Sequence, residues 1–84
     1  MSIEQQFEEA LVESKQLTEK PSTADLLKIY SLFKQAKEGD VQGERPGGFD
    51  FKAIAKYDAW ASLKGKEKEE AMKDYIALIE SLKK

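Results

Sequence analysis

The sequence predicts an all-α fold of four helices, and three observations carry that reading. Apolar residues recur at helical rather than alternating spacing along most of the 84 residues. Pro21 and Gly65 punctuate the chain between those periodic stretches. The segment from Gly39 to Asp50 holds four glycines and one proline in twelve residues and cannot continue a helix. No internal repeat is present, and residues 1–84 read as one domain.

The first helix is expected from about Ile3 to Leu17, with Ile3, Phe7, Ala10, Leu11, Ser14 and Leu17 on its inner face. Ser14 is the odd member of that face, and a hydrogen bond to a carbonyl of its own helix would satisfy it. Pro21 biases Lys20 away from helical geometry, so the helix ends before it. Ser22 with Asp25 three residues later reads as the cap of a second helix that ends near Gly39. The Gly39–Asp50 connection is long for so small a domain; it carries the chain across the bundle or touches a ligand. Arg45 paired with Asp50 or another carboxylate would pin it. A third helix is expected over about Phe51–Leu63, closed by Gly65, and a fourth over about Lys66–Lys83. On the fourth, Ala71, Met72, Tyr75, Leu78, Ile79 and Leu82 share one side, while Lys64, Lys66 and Lys68 read as a solvated helix start.

The second helix carries more apolar surface than one core contact requires. At about 100° per residue, Leu26, Leu27, Phe33 and Lys34 fall within about 60° of Tyr30. Ile29, Leu32 and Ala36 form a second apolar group, leaving Lys28, Ser31 and Gln35 as the polar strip. The apolar arc spans roughly 220°, about twice the usual stripe, so this helix needs two apolar partners. The third helix repeats the anomaly, with Ala53, Trp60 and Leu63 within about 60° of Lys56. A lysine on an apolar face can lay its methylene stem on that surface with its ammonium in water. Two such lysines, Lys34 and Lys56, each with an aromatic residue one turn away, point instead to a ligand bearing phosphates.

Composition limits the function classes. A chain of 84 residues with 40% hydrophobic content supports one core, burying about 60% of its unfolded surface. With no cysteine and no histidine, disulfides are excluded, and the usual zinc ligands and the common nucleophile and base of ester hydrolases are missing. A binding protein fits this inventory better than an enzyme. The net charge of −2 argues against nonspecific nucleic-acid binding. No stretch reaches the ~18 apolar residues of a membrane span. Met1-Ser2-Ile3-Glu4 lacks the basic start and apolar run of a secretory signal, so a cytoplasmic location is the default expectation.

The stretch from Tyr30 to Trp60 resembles the signature of the acyl-CoA-binding protein family, through Tyr30, Phe33, Lys34, Gln35, Ala36, Gly39, Asp40, Arg45, Pro46, Gly47, Asp50, Ala55, Lys56, Tyr57, Ala59 and Trp60. The likeness continues through Leu63, Lys64 and Gly65 to Ala71, Met72, Tyr75 and Ile76. It covers nearly the whole chain. It implies an up-down-down-up four-helix bundle and non-covalent binding of medium- and long-chain fatty acyl-CoA esters, with a carrier and pool-forming role in lipid metabolism.

The resemblance also implies a site. Lys34 and Lys56 would neutralise the ribose 3′-phosphate, helped by the Tyr30 hydroxyl, and Lys15 would reach the nucleotide end. Phe33 and Tyr75 would pack on the adenine and its neighbours, with Ser31 and Leu32 in the same binding run. Ala10, Leu26, Leu27 and Ile54 are the candidates for lining the acyl groove. The expected ligand is a long-chain fatty acyl-CoA, with no cofactor and no metal. Acyl-CoA-using enzymes would be transient recipients, without nucleic-acid partners or stable membrane insertion, and the chain would be a monomer. Three positions depart from the family pattern: Phe33 where members often have tyrosine, Tyr57 where many have tryptophan, and Ile54 in place of a common lysine. A helix-docking interaction module or a precursor of signalling peptides would also use the broad face of the second helix, but would not account for the inserted lysines.

Overall fold

In the computed structural model, which describes residues 2–83, side chains cap the first three helices and so satisfy backbone N–H groups that a helix start leaves orphaned. The helix α1 (Ile3–Ser14) opens on a reciprocal capping box: Gln5 N donates to Ser2 Oγ and Ser2 N donates to Gln5 Oε1, both at 3.1 Å. At α2 (Thr23–Glu38), Asp25 N donates to Ser22 Oγ at 3.1 Å, the cap expected from the sequence. At α3 (Phe51–Ala61), Ala53 N donates to Asp50 Oδ1 at 3.1 Å. The fourth helix, α4 (Lys68–Leu82), starts at Glu67 without a side-chain cap, and places Glu69 and Glu70 in its first turn, where the helix dipole favours anions.

Three helix limits differ from the periodic pattern, for one physical reason. Past Ser14, Lys15 N and Gln16 N donate to Val12 O and Glu13 O, at 3.1 and 2.9 Å, so the last turn tightens to i→i−3 and α1 stops short of Leu17. The same tightening follows Ala61, where Leu63 N and Lys64 N donate to Trp60 O and Ala61 O. Gly65, at φ +94°, then turns the chain, so α4 begins at Lys68 rather than Lys66. Apolar periodicity runs on through such turns and cannot mark them.

Side-chain pairs fix the direction of each helix. Tyr30 meets Lys56 and Lys34 meets Trp60, so α2 and α3 run parallel. Phe7 meets Tyr75 and Glu13 pairs with Lys83, so α1 and α4 also run parallel. The end of α2 lies at the start of α4, where Gln35 Nε2 donates to Lys66 O at 2.8 Å, making that pair antiparallel. This is the up-down-down-up order, with α4 packed on α1 and α2, and α3 packed on α2. The core cluster is Phe7, Ala10, Leu32, Ala36, Ala71, Tyr75 and Ile79. Ser14 Oγ donates to Leu11 O at 2.7 Å, as its place on an apolar face required.

The parallel arrangement of α2 and α3 requires the long connection, which is tied down at three points. Trp60 Nε1 donates to Gly39 O at 2.8 Å, and the Tyr57 hydroxyl donates to Gly43 O at 3.0 Å. Arg45 forms a two-pronged pair with Asp58, Nε to Oδ1 at 2.8 Å and Nη2 to Oδ2 at 2.9 Å. Of the two partners open to Arg45 in the sequence, the structure selects another carboxylate over Asp50, whose side chain is engaged in capping α3. No helix among the described residues is long and apolar enough to cross a membrane.

Candidate functional site

No close backbone packing joins α1 to α2 among the described residues. They meet through side chains at one end, where the Phe7 and Phe33 rings lie 6.5 Å apart and Lys37 pairs with Glu8 at 3.0 Å. Beyond that end the helices part, and α3 stands beside α2, leaving a groove of about 880 Å³. Its volume lies within the range of about 300–1,000 Å³ typical of small-molecule sites.

The wall of the groove combines two chemistries. Leu11, Leu26, Leu27, Ile29 and Phe33 supply apolar surface, whereas Lys15, Lys20, Lys52 and Lys56 contribute four ammonium groups. The α2 part of the wall follows from helical geometry. Residues 26, 27, 30 and 33 share one face of α2, while the buried Leu32 and Ala36 face the core. The two apolar partners demanded by the wide arc of α2 are thus the core and the groove.

Of the residues singled out in the sequence, Lys15, Leu26, Leu27, Tyr30, Phe33, Lys56 and Tyr75 come together on this wall. The Lys56 ammonium lies 5.3 Å from the Tyr30 ring centroid, a cation–π distance that orders the lysine across the α2–α3 seam. Tyr75 is 2% exposed; one side of its ring meets Phe7 edge to face at 5.1 Å, and the residue also reaches the groove floor beside Ser14. Burial pushes the Tyr75 hydroxyl above the usual phenol range, with the neighbouring Ser14 hydroxyl acting in the opposite direction. The residue is both core and floor.

The others are placed elsewhere. Ser31 is buried, and its Oγ donates to Lys28 O at 3.1 Å; Leu32 belongs to the core cluster. Ala10 is buried in the same cluster, and the half-buried Ile54 lies on α3 outside the groove wall. Lys34 pairs with Glu38 one turn ahead and sits 5.0 Å from the Trp60 ring centroid. The Glu38 hydrogen bond raises the Lys34 pKa above the ordinary ammonium value.

Several wall residues were not singled out as ligand contacts in the sequence. Lys52 lies one turn before Lys56 and so shares its side of α3, a helical spacing that marks it in the sequence; Ile29, grouped in the sequence with Leu32 and Ala36, reaches the groove wall because it lies one turn before Phe33. Phe51 carries no such mark, because it begins its helix. Lys20 lies between helices, where periodicity says nothing.

An apolar groove edged by lysines and phenols suits a molecule with an apolar body and anionic groups, and comparisons with known proteins agree. The model of the family described as acyl CoA binding protein matches residues 4–79. The acyl-CoA-binding domain-containing protein 6 of Arabidopsis thaliana is 49% identical over 82 residues, spanning 98% of this chain and 89% of that protein. The acyl-CoA-binding protein of Saccharomyces cerevisiae is 48% identical over 80 residues, spanning 95% of this chain and 92% of its own. The crystal structure of acyl-CoA-binding protein 2 from Oryza sativa superposes with a TM-score of 0.92 at 43% identity, covering 96% of this chain and 90% of that one. With a family model matched over most of its length, near-half identity to relatives of similar size, and the same arrangement of helices, this chain belongs to the acyl-CoA-binding protein family.

Proposed function

We propose that this protein binds medium- and long-chain fatty acyl-CoA esters without covalent attachment and serves as a cytoplasmic, monomeric carrier and pool former. The observation that carries this reading is one groove wall that combines apolar residues with four lysines. A fatty acyl-CoA combines the matching groups, an acyl chain with a 3′-phosphate and pyrophosphate.

Leu26, Leu27, Ile29 and Leu11 would take the acyl chain. Burial of each methylene is worth about 0.8 kcal/mol, so about ten contribute on the order of 8 kcal/mol before ordering losses. That is the scale of a micromolar complex, and the headgroup adds to it. Lys15, Lys52 and Lys56 would hold the phosphates as compact point charges, with the Tyr30 hydroxyl beside Lys56. Phe33 and Tyr75 offer flat surface to the adenine. Lys34 joins this set if it exchanges Glu38 for a ligand phosphate. The tail sets affinity, the headgroup sets specificity, and no bond in the thioester is broken. Acyl-CoA-using enzymes are the expected transient recipients.

Calorimetric titration with a long-chain acyl-CoA, beside coenzyme A alone and the free fatty acid, tests the reading. One-to-one binding of the thioester with both controls much weaker is the expected result. Equal affinity for the free fatty acid would remove the headgroup half of the site, and no binding at micromolar protein would remove the function.

A further inference from the structure

Ser14 interrupts the apolar inner face of α1 with a hydroxyl, and the residue is half-buried on the groove wall. Its proton is committed, because Ser14 Oγ donates to Leu11 O at 2.7 Å. Ser31, Ser62 and Ser81 donate in the same way to the carbonyl three residues back. Ser31 is buried, however, Ser62 and Ser81 are exposed, and none of these three lines the groove. Beside Ser14 stands the hydroxyl of Tyr75, the almost wholly buried residue of the groove floor.

A hydroxyl oxygen carries one proton and two acceptor lone pairs. With the proton of Ser14 on Leu11 O, and one lone pair within reach of the Tyr75 hydroxyl, the other lone pair is left to the groove. The anionic groups of an acyl-CoA cannot use it, since phosphate oxygens are acceptors themselves and belong with the lysines. A plain methylene chain cannot use it either. Laid over Ser14, such a chain would exclude water and leave the oxygen unpaired, which is unfavourable in a dry site. What this oxygen requires from a ligand is an O–H or N–H donor. Leu11, one turn earlier on α1, is among the residues assigned to the acyl chain, so the donor belongs on that chain. Lys15, assigned to the phosphates, follows Ser14 directly and puts the donor near the thioester end.

We infer that Ser14, with Tyr75 beside it, is a specificity-determining residue that recognises a hydroxyl near the thioester end of the acyl chain, making hydroxylated fatty acyl-CoA esters a preferred class of cargo. The ligand O–H donates to Ser14 Oγ, and Ser14 in turn donates to Leu11 O, so the two bonds polarise each other. This selectivity rests on the proposed binding of acyl-CoA in the groove and narrows it.

Calorimetric titration of the full chain with hexadecanoyl-CoA, 2-hydroxyhexadecanoyl-CoA and 3-hydroxyhexadecanoyl-CoA tests the inference. The wild type should bind at least one of the hydroxy esters about tenfold tighter than the plain ester, which corresponds to ~1.4 kcal/mol. Ser14→Ala should abolish that preference, and Ser14→Thr, which keeps the hydroxyl, should retain it. Each preference is a ratio taken within one variant, so a change in overall stability does not produce it. A wild type that treats the three esters alike or prefers the plain one would overturn the inference, as would a preference that survives in Ser14→Ala. Equal weakening of all three esters in Ser14→Ala, without a preference in the wild type, would also overturn it and make Ser14 a contact of the pantetheine amides. If none of the three binds, the carrier reading itself falls and takes the inference with it; binding that ignores the hydroxyl removes the inference alone.

Discussion

Lys56 and Lys34 each lie over an aromatic ring in the α2–α3 seam, at 5.3 Å from Tyr30 and 5.0 Å from Trp60, but only Lys56 is on the groove wall. Lys56→Ala should therefore weaken acyl-CoA binding roughly tenfold or more, the scale of a lost charge-assisted contact, while leaving the thermal midpoint close to wild type. Calorimetry and thermal melts on one sample measure both. Lys34 has a prior engagement with Glu38. If Lys34 serves the ligand, Glu38→Gln should tighten binding by freeing it; identical affinities for Glu38→Gln and wild type would leave Lys34 a structural residue. Tyr75 supplies a pH test. Its hydroxyl is held protonated above its ordinary value of 10.0, so the unfolded chain loses the proton first and stability falls as pH rises beyond that value. Lys34 and Lys83, held charged by Glu38 and Glu13, act in the same alkaline direction. In urea melts, Tyr75→Phe should reduce the loss above pH 10 without abolishing it.

At the scale of elements, Phe7 is the residue on which α1 depends most, because its ring contacts Phe33 of α2 and Tyr75 of α4 while 1% exposed. Phe7→Ala should cost about 3–5 kcal/mol in a urea melt, the usual range for emptying a buried aromatic site. Gly65, at φ +94°, closes the turn between α3 and α4, and Gly65→Ala should cost about 1–3 kcal/mol through backbone strain alone, since a methyl there meets nothing within 4 Å. These elements were legible in the sequence because caps and periodicity are local. Ser22 with Asp25 announced α2, and the inner face of α4 emerged as Ala71, Tyr75 and Ile79. The α2 side of the groove wall was legible for the same reason, through the face shared by Leu26, Leu27, Tyr30 and Phe33. Lys20 and Phe51 were not, since they reach the groove through the path of the chain rather than through spacing along a helix. The partner of Arg45 stayed open because choosing between Asp50 and Asp58 requires knowing which carboxylate already caps a helix.

The whole molecule spans 41 × 28 × 15 Å between its Cα atoms, so in its thinnest direction it is about two packed helices deep. A body that thin relies on ties between elements as well as on its core. Two of these ties are carboxylates held below the ordinary value of 3.8: Asp40 by the Gly65 N–H and the Gln35 amide, and Asp58 by Arg45. Their contribution is complete above that value and is lost as pH falls through their lowered folded values. The urea midpoint should thus be steady near neutrality and drop below about pH 4. Asp58→Asn should flatten that acid limb. The corner around Asp40 has a further consequence. Gln35, with no exposed surface, donates both to Asp40 and to Lys66 O, so the end of α2, the turn after α3 and the start of α4 form one rigid frame. Across the groove, α1 is fastened to α4, and the Phe7–Phe33 and Glu8–Lys37 contacts reach α2. The molecule is built like a clasp, with one jaw of α2 and α3 and the other in the C-terminal half of α1, which the Glu13–Lys83 pair fastens to α4. Amide exchange should be faster at Val12–Ser14 than at Leu32–Ala36, and a ligand lying between the jaws should slow the first stretch far more than the second.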